Sequence, residues 1–199
     1  SVDWTSSPGF LSALSDSNNL IEADVAYRGE LAFDVDIDEN RADVSLDSYL
    51  KGISYGSLDF DDSVTQWEVQ LHPAPQYDLY LDSGSGPCDY DLTGLRIREV
   101  ELDSGSGHIR IRFPSEGSIG GEFDTGSGDV EILVPKALGV RIELDSGSGQ
   151  FRPDDTFAKA SGDEDESVWQ TLDYDEAKNT LELEIDQGSG SIEIRSVGD

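Results

Sequence analysis

The stretch that decides the fold is LDSGSGHIRIRFP, Leu102–Pro114. Twenty-one residues later the chain reads FDTGSGDVEILVP (Phe123–Pro135), and 21 residues earlier LDSGSGPCDYDLT (Leu81–Thr93). The apolar anchor that opens each copy falls at Phe60, Leu81, Leu102, Phe123 and Leu144, each 21 residues after the last. A further copy, IDQGSG at Ile185, follows after 41 residues, which leaves room for one degenerate turn. The Phe60 copy (FDDSVTQ) keeps the apolar phase without the glycines. A fixed period of this length marks a solenoid or array.

Within a copy the hydrophobic period is two, the pattern of a half-buried strand. Val140, Ile142 and Leu144 precede a turn, Ile109, Ile111 and Phe113 follow one, and charged residues lie between them. Each copy therefore reads as strand, glycine turn, strand and a looser return, often marked by Pro73, Pro114 or Pro135. The glycines are expected to supply positive φ. Stacked in parallel, such units give an all-β fold, a parallel β-solenoid of about 21-residue turns.

Residues 1–58 lack the glycine repeat and are expected to form an N-terminal β segment that caps the solenoid of residues 59–199. Ser7-Pro8 before FLSAL predicts one short helix. Three or four strands follow, with turns at Arg28-Gly29 and Glu39-Asn40. Near the other end, VWQTLDY and TLELEI around DEAKN predict a hairpin that returns to the stack.

The net charge of −30, from 43 acidic against 13 basic residues, disfavours nucleic acid and anionic membrane as partners. It leaves cationic surfaces, an envelope protein, or life in concentrated salt. The acids are interleaved with Val, Ile, Leu and aromatics, unlike a disordered acidic tail. No apolar run approaches the roughly 20 residues of a membrane span, so no direct insertion is expected. The start of the sequence, without an initiator Met or signal-like h-region, is read as that of a processed or trimmed ectodomain, any signal or anchor segment lying outside the sequence.

Stacking the copies aligns acids. Asp61, Asp82, Asp103, Asp124, Asp145 and Asp186 follow the anchors; Asp59, Glu101, Glu122, Glu143 and Glu184 precede them, with Tyr80 the break. Three readings stand: each Asp caps its own turn, the acidity serves solubility or salt tolerance, or neighbouring E-x-D pairs hold Ca²⁺. The last would make Asp82, Glu101, Asp103, Glu122, Asp124, Glu143, Asp145, Glu184 and Asp186 metal ligands, although no D-x-D-x-D-G loop is present. No cofactor is required by any motif. His72 and His108 lie at non-equivalent positions, Cys88 shares the inward phase of Ile109, and no nucleophile elbow surrounds Ser83, so no enzyme is expected. The other sheet carries Arg110, Arg112, Arg152 and Arg195 among acids, which suggests self-association through flanks or ends of the solenoid.

The order W-x-V-x-L-x-P-x-x-x-Y-D-L-x-L-D-x-G-S-G (Trp67–Gly86), D-L-T-G-L-x-I-x-x-V-x-L-D-x-G-S-G (Asp91–Gly107) and G-S-G-D-V-x-I-x-V-P-x-x-x-G-V-R-I-E (Gly126–Glu143) resembles the toast-rack domain of LiaF-related prokaryotic envelope proteins, often labelled adhesins. The resemblance implies a parallel solenoid, an extracellular or envelope location and a non-catalytic structural or adhesin-like role. A sensory ectodomain of an envelope-stress system is the alternative it implies. It carries no catalytic residues.

Overall fold

The computed structural model describes residues 1–4, 7–27, 30–39, 41–49, 66–163 and 165–198. The strands are β1 (Val2–Asp3), β2 (Gly9–Ala13), β3 (Ile21–Val25), β4 (Glu30–Asp38), β5 (Arg41–Tyr49), β6 (Trp67–Leu71), β7 (Gln76–Ser83), β8 (Cys88–Asp91) and β9 (Arg96–Ser104). They continue with β10 (Ile109–Arg112), β11 (Ser118–Thr125), β12 (Val130–Pro135), β13 (Leu138–Ser146), β14 (Phe151–Pro153), β15 (Phe157–Gly162), β16 (Glu166–Thr171), β17 (Asn179–Gln187) and β18 (Ile192–Val197). One sheet has the order β15-β16-β13-β17-β11-β9-β7-β1-β5-β4, and the second β14-β18-β12-β10-β8-β2-β6-β3. Most neighbours are parallel; antiparallel strands β3, β4, β15 and β16 lie toward the ends. The all-β parallel solenoid is therefore observed.

The period-two pattern builds the core directly. Leu81, Leu102, Phe123, Ile185 and Leu144 stand in register in the first sheet. Cys88, Ile109, Val130, Ile192 and Phe151 do so in the second. Each Phe, Leu or Ile so buried contributes roughly 1.5–3 kcal/mol. Phe113 and Phe123 stack across the sandwich with ring centroids 6.4 Å apart.

The glycines of the turns act differently from the expectation. Positive φ among the described glycines occurs at Gly94, Gly117 and Gly162, not in the GSG turns. What excludes a side chain there is the turn beneath: a Cβ on Gly128 would lie 1.8 Å from the Gly107 carbonyl oxygen, and one on Gly190 1.8 Å from that of Gly128. The turns ride on one another through backbone hydrogen bonds, such as Gly126 N–H to Ser104 O at 2.7 Å and Gly188 N–H to Thr125 O at 2.7 Å.

Two further expectations are corrected. Residues after Pro8 form β2, not a helix; β2 pairs with β6 on one side and β8 on the other, so ladder bonds outweigh the local helix-start signal. Gly9 sits there because a Cβ would lie 1.9 Å from Trp4 Nε1. Likewise β16 and β17 are not a hairpin. They flank β13 on opposite sides, β16 antiparallel and β17 parallel. After β13 and β14 the chain adds the antiparallel β15–β16 hairpin to the outer edge of β13, passes a 3-10 turn at Tyr174–Glu176, and returns to wedge its last coil between two earlier ones. The 41-residue spacing is thus an excursion, with no degenerate coil in the stack.

The first strands are also inside the stack. β1 lies between β5 and β7, and β2 between β6 and β8. The FDDSVTQ copy with Phe60, and the turn residues Arg28, Gly29 and Asn40, lie outside the described residues. Val2 and then Leu46 continue the anchor column beyond Leu81.

Candidate functional site: an aspartate ladder

Because alternate residues of a strand face opposite ways, the residue after each inward anchor points to solvent. In spatial order these are Asp47, Asp3, Asp82, Asp103, Asp124, Asp186 and Asp145, on adjacent strands of one sheet. The ladder is longer than the sequence repeat shows. Asp3 and Asp47 join it, although their copies lack GSG; the signal that marks one of them is Leu46-Asp47-Ser48, an L-D-S without the glycines. Asp59 and Asp61 lie outside the described residues. A second ladder, Glu101, Glu122, Glu184 and Glu143, runs beside the first and starts from Tyr80. The order in space therefore differs from the order in sequence: the 184/186 pair stands between 122/124 and 143/145.

Strand neighbours lie about 4.8 Å apart, so adjacent carboxylates repel by roughly 1 kcal/mol in bulk water. At one end of the ladder burial and like charge act together. Burial, then the charges of Asp3, Asp103 and Asp47, push the Asp82 carboxyl up from its ordinary value. Burial and Asp3 push Asp47 up, while the Ser1 ammonium pulls it back and Asp34 adds to the rise. Two shallow hollows follow the ladder: one of about 370 Å³ between Asp3, Asp82, Asp103 and Asp124, the other of about 590 Å³ between Asp124, Asp145, Asp186 and Glu166. The capping reading does not match the turns, whose N–H groups bond to carbonyls of the coil below, as Gly105 N–H does to Ser83 O at 2.8 Å.

Among the described residues no three His, Cys, Asp or Glu side chains converge as a metal-binding group. The nine carboxylates picked out from the sequence stand side by side on neighbouring strands of one sheet. Ca²⁺ takes six to eight oxygens, and such a ladder offers neighbouring pairs but no cage.

On the other face two arginines converge on one nearly buried acid. Glu131, only 8 % exposed, takes Arg110 Nε at 2.6 Å and is also held by Arg195. Arg110 further reaches Asp89 at 3.7 Å, and Arg195 reaches Glu193 at 3.3 Å. Of the arginines on this face, Arg110 and Arg195 are thus engaged in ion pairs with their own neighbours, and Arg152 donates to Gln150 Oε1. His72 Nδ1 accepts the Ala74 N–H at 3.1 Å. The Cys88 thiol is buried, and burial pushes its pKa up, which opposes formation of a nucleophilic thiolate.

Replacing one rung tests the repulsion. Asp82→Asn is expected to stabilise the protein at pH 7 by about 0.5–1 kcal/mol after allowance for solvent screening, a rise in Tm of roughly 2 °C. A raised carboxyl pKa favours the folded state when protonated, and that contribution is lost as pH rises through the folded value. The advantage of the variant should therefore shrink as pH falls through the carboxylate range, and also at high salt. Scanning calorimetry at two pH values checks this. A lower Tm for the variant at pH 7 would show that the carboxylate makes a favourable contact.

Among the described residues no helix is long and apolar enough to cross a membrane. Comparison with curated proteins returns no match. A crystal structure titled "putative cell adhesion protein" from Clostridium sporogenes is similar in fold, with a TM-score of 0.78 at 17% identity, covering 98% of this chain and 91% of that one. The profile of the N-terminal domain of toast_rack, DUF2154, matches residues 2–133. With that match spanning the anchor column from Val2 through Phe123, the chain belongs to the toast-rack family.

Proposed function

We propose that this protein is a non-catalytic, cell-surface β-solenoid that attaches to cationic groups through its acidic sheet. The observation that carries this reading is the seven-rung aspartate ladder with its parallel glutamate ladder. A sheet face of repeated like charge gains little for folding and suits multivalent contact with an extended surface of opposite sign. Family membership supports an envelope location outside the membrane, as does the name of the adhesion protein that shares the fold. The ion pairs that hold Arg110 and Arg195 on the opposite face favour attachment to other molecules over side-by-side packing of copies.

The test is surface display on a non-adherent host cell, with attachment counted on amine-coated and carboxylate-coated glass. Attachment is expected on the amine surface alone, weakening with added salt and falling severalfold when Asp82, Asp103 and Asp124 are all changed to Asn. Equal attachment to both surfaces, or none to the amine surface, would overturn the reading.

A further inference from the structure

The two sheets do not finish level at the end formed by β14 and β15. β13 and β14 are consecutive strands of one coil, joined by Gly147-Ser148-Gly149. Beyond β13 the first sheet continues through β16 and β15, whereas β14 is the outermost strand of the second among the described residues. The first sheet therefore overhangs by two strands, about 9–10 Å. On the inner face of the overhang Trp169 and Lys159 stand in line with Ile142, and Thr171 and Phe157 lie beside them. Trp169 packs on Phe151 of β14 with ring centroids 5.7 Å apart, and Phe157, Ser167 and Thr171 are buried. Among the described residues no second-sheet strand faces these side chains. Their burial means that the hairpin leans over the end of the sandwich and closes it.

The free strand edges at this end are poor templates. Along β14 the Ile192 N–H bonds to Gln150 O, and the Asp154 N–H bonds to Ile194 O. Alternate residues of a parallel strand bond to opposite neighbours. Gln150, Arg152 and Asp154 thus serve β18, while Phe151 and Pro153 turn their backbone outward. Pro153 has no N–H to offer there. On β15 the pairing with β16 shifts between Lys159 and Ser161, a bulge at Ala160 that bends the strand and breaks its outer edge. Lys159 projects from the core side of the sheet, and its ammonium donates to the Asp163 carbonyl. A strand laid against β15 would enclose that charge at a cost. Proline, a bulge and an inward charge each keep an edge strand from pairing, and this end has all three.

We infer that the β15–β16 hairpin, together with Pro153, terminates the solenoid and keeps a second copy of the chain from stacking onto this end. The repeat itself creates the need. Every coil offers the same register, so an open end of one copy would accept a coil of the next. The charge pattern suggested self-association through flanks or ends, and this end is one that the fold shuts. The inference goes beyond attachment through the acidic sheet and does not depend on it, since the hairpin acts on the edges of strands and the ladder on a face.

The test opens the edge. One variant combines Pro153→Val, Lys159→Val and deletion of Ala160. Its sedimentation is compared with that of the parent over a concentration series in high salt, which screens the repulsion between acidic copies. The opened variant is expected at least to double its weight-average mass at the top of the series. A polyethylene glycol chain attached at Ala158→Cys, exposed on β15, should return it to the parent's value; Cys88 is buried and escapes the label. The same label should leave the sedimentation of the parent unchanged. Equal masses for the opened variant and the parent would overturn the inference. So would an assembly of the parent that the label disperses. Should the triple variant not melt cooperatively, Lys159→Val alone carries the test: it is expected to associate, more weakly, and sedimentation like the parent's then overturns the inference.

Discussion

Leu183→Asp is expected to unfold the whole protein, although the substitution lies 16 residues from the end of a 199-residue chain. In an ordinary solenoid a charge buried in the last coil frays one tip, because each coil touches only its neighbours. Here the last coil is not at a tip. Leu183 is 1 % exposed, with Gly121 of β11 beside it on one strand and Ile142 of β13 on the other. An unpaired carboxylate there faces a low-dielectric interior on every side, and its burial costs several kcal/mol, enough to reach the upper range of single-substitution effects. Expelling β17 and β18 would also remove Leu181, Ile185, Ile192 and Ile194 from the core and part β11 from β13. Near-UV circular dichroism and a thermal melt check this, with Leu31→Asp in the terminal hairpin as the comparison expected to fray locally. A cooperative melt combined with proteolytic release of the last coil would show that β13 can close onto β11, and the wedge would then be dispensable.

The second large effect is expected from a single methyl group. Gly128→Ala places a Cβ 1.8 Å from the carbonyl oxygen of Gly107, and the neighbour is backbone held in its own ladder, so it has nowhere to move. Forcing the two turns apart should cost about 2–4 kcal/mol, and Gly190→Ala should match it, since its Cβ meets Gly128 O at the same distance. Gly120 is the control. A Cβ there has only the Arg98 carbonyl oxygen within reach, at 4.0 Å. Gly120→Ala should change stability by no more than about 0.5 kcal/mol, or raise it slightly by reducing the freedom of the unfolded chain. Urea denaturation of the three variants decides between steric stacking and a conformational need for glycine. If Gly128→Ala behaves like Gly120→Ala, the stacking argument is lost.

What could be read from the chain alone has a physical boundary. The coil from Leu81 to Leu144 was legible because alternation and a constant 21-residue step are local facts, and stacking converts them into registered columns. The site followed for the same reason: once Leu102 stands on Leu81, Asp103 must stand beside Asp82. What periodicity cannot convey is which coil lies next to which. Every copy of the motif offers the same register, so the coil around Ile185 can take a place beside Phe123 as readily as one beyond Leu144. Its position is settled by the β15–β16 hairpin, which occupies the outer edge of β13. The helix expected after Pro8 failed because a start signal is worth about 1 kcal/mol, less than two parallel ladders. Asp3 and Asp47 were missed because their copies keep the apolar-Asp pair and drop the glycines that made the repeat conspicuous.

The threading of both chain ends into the stack also fixes how the molecule stands when held. The parallel strands of the first sheet run toward the glycine turns and those of the second sheet run away from them. Ser1 therefore opens toward the return side of the coils, and β18 finishes there at Val197. Both termini leave from one long edge, each between two strands of its sheet. A linker joined at either terminus would thus grip the solenoid by its side, like the spine of a book. The opposite edge, the stacked ridge of Gly-Ser-Gly turns, would face outward, and both tips would stay clear.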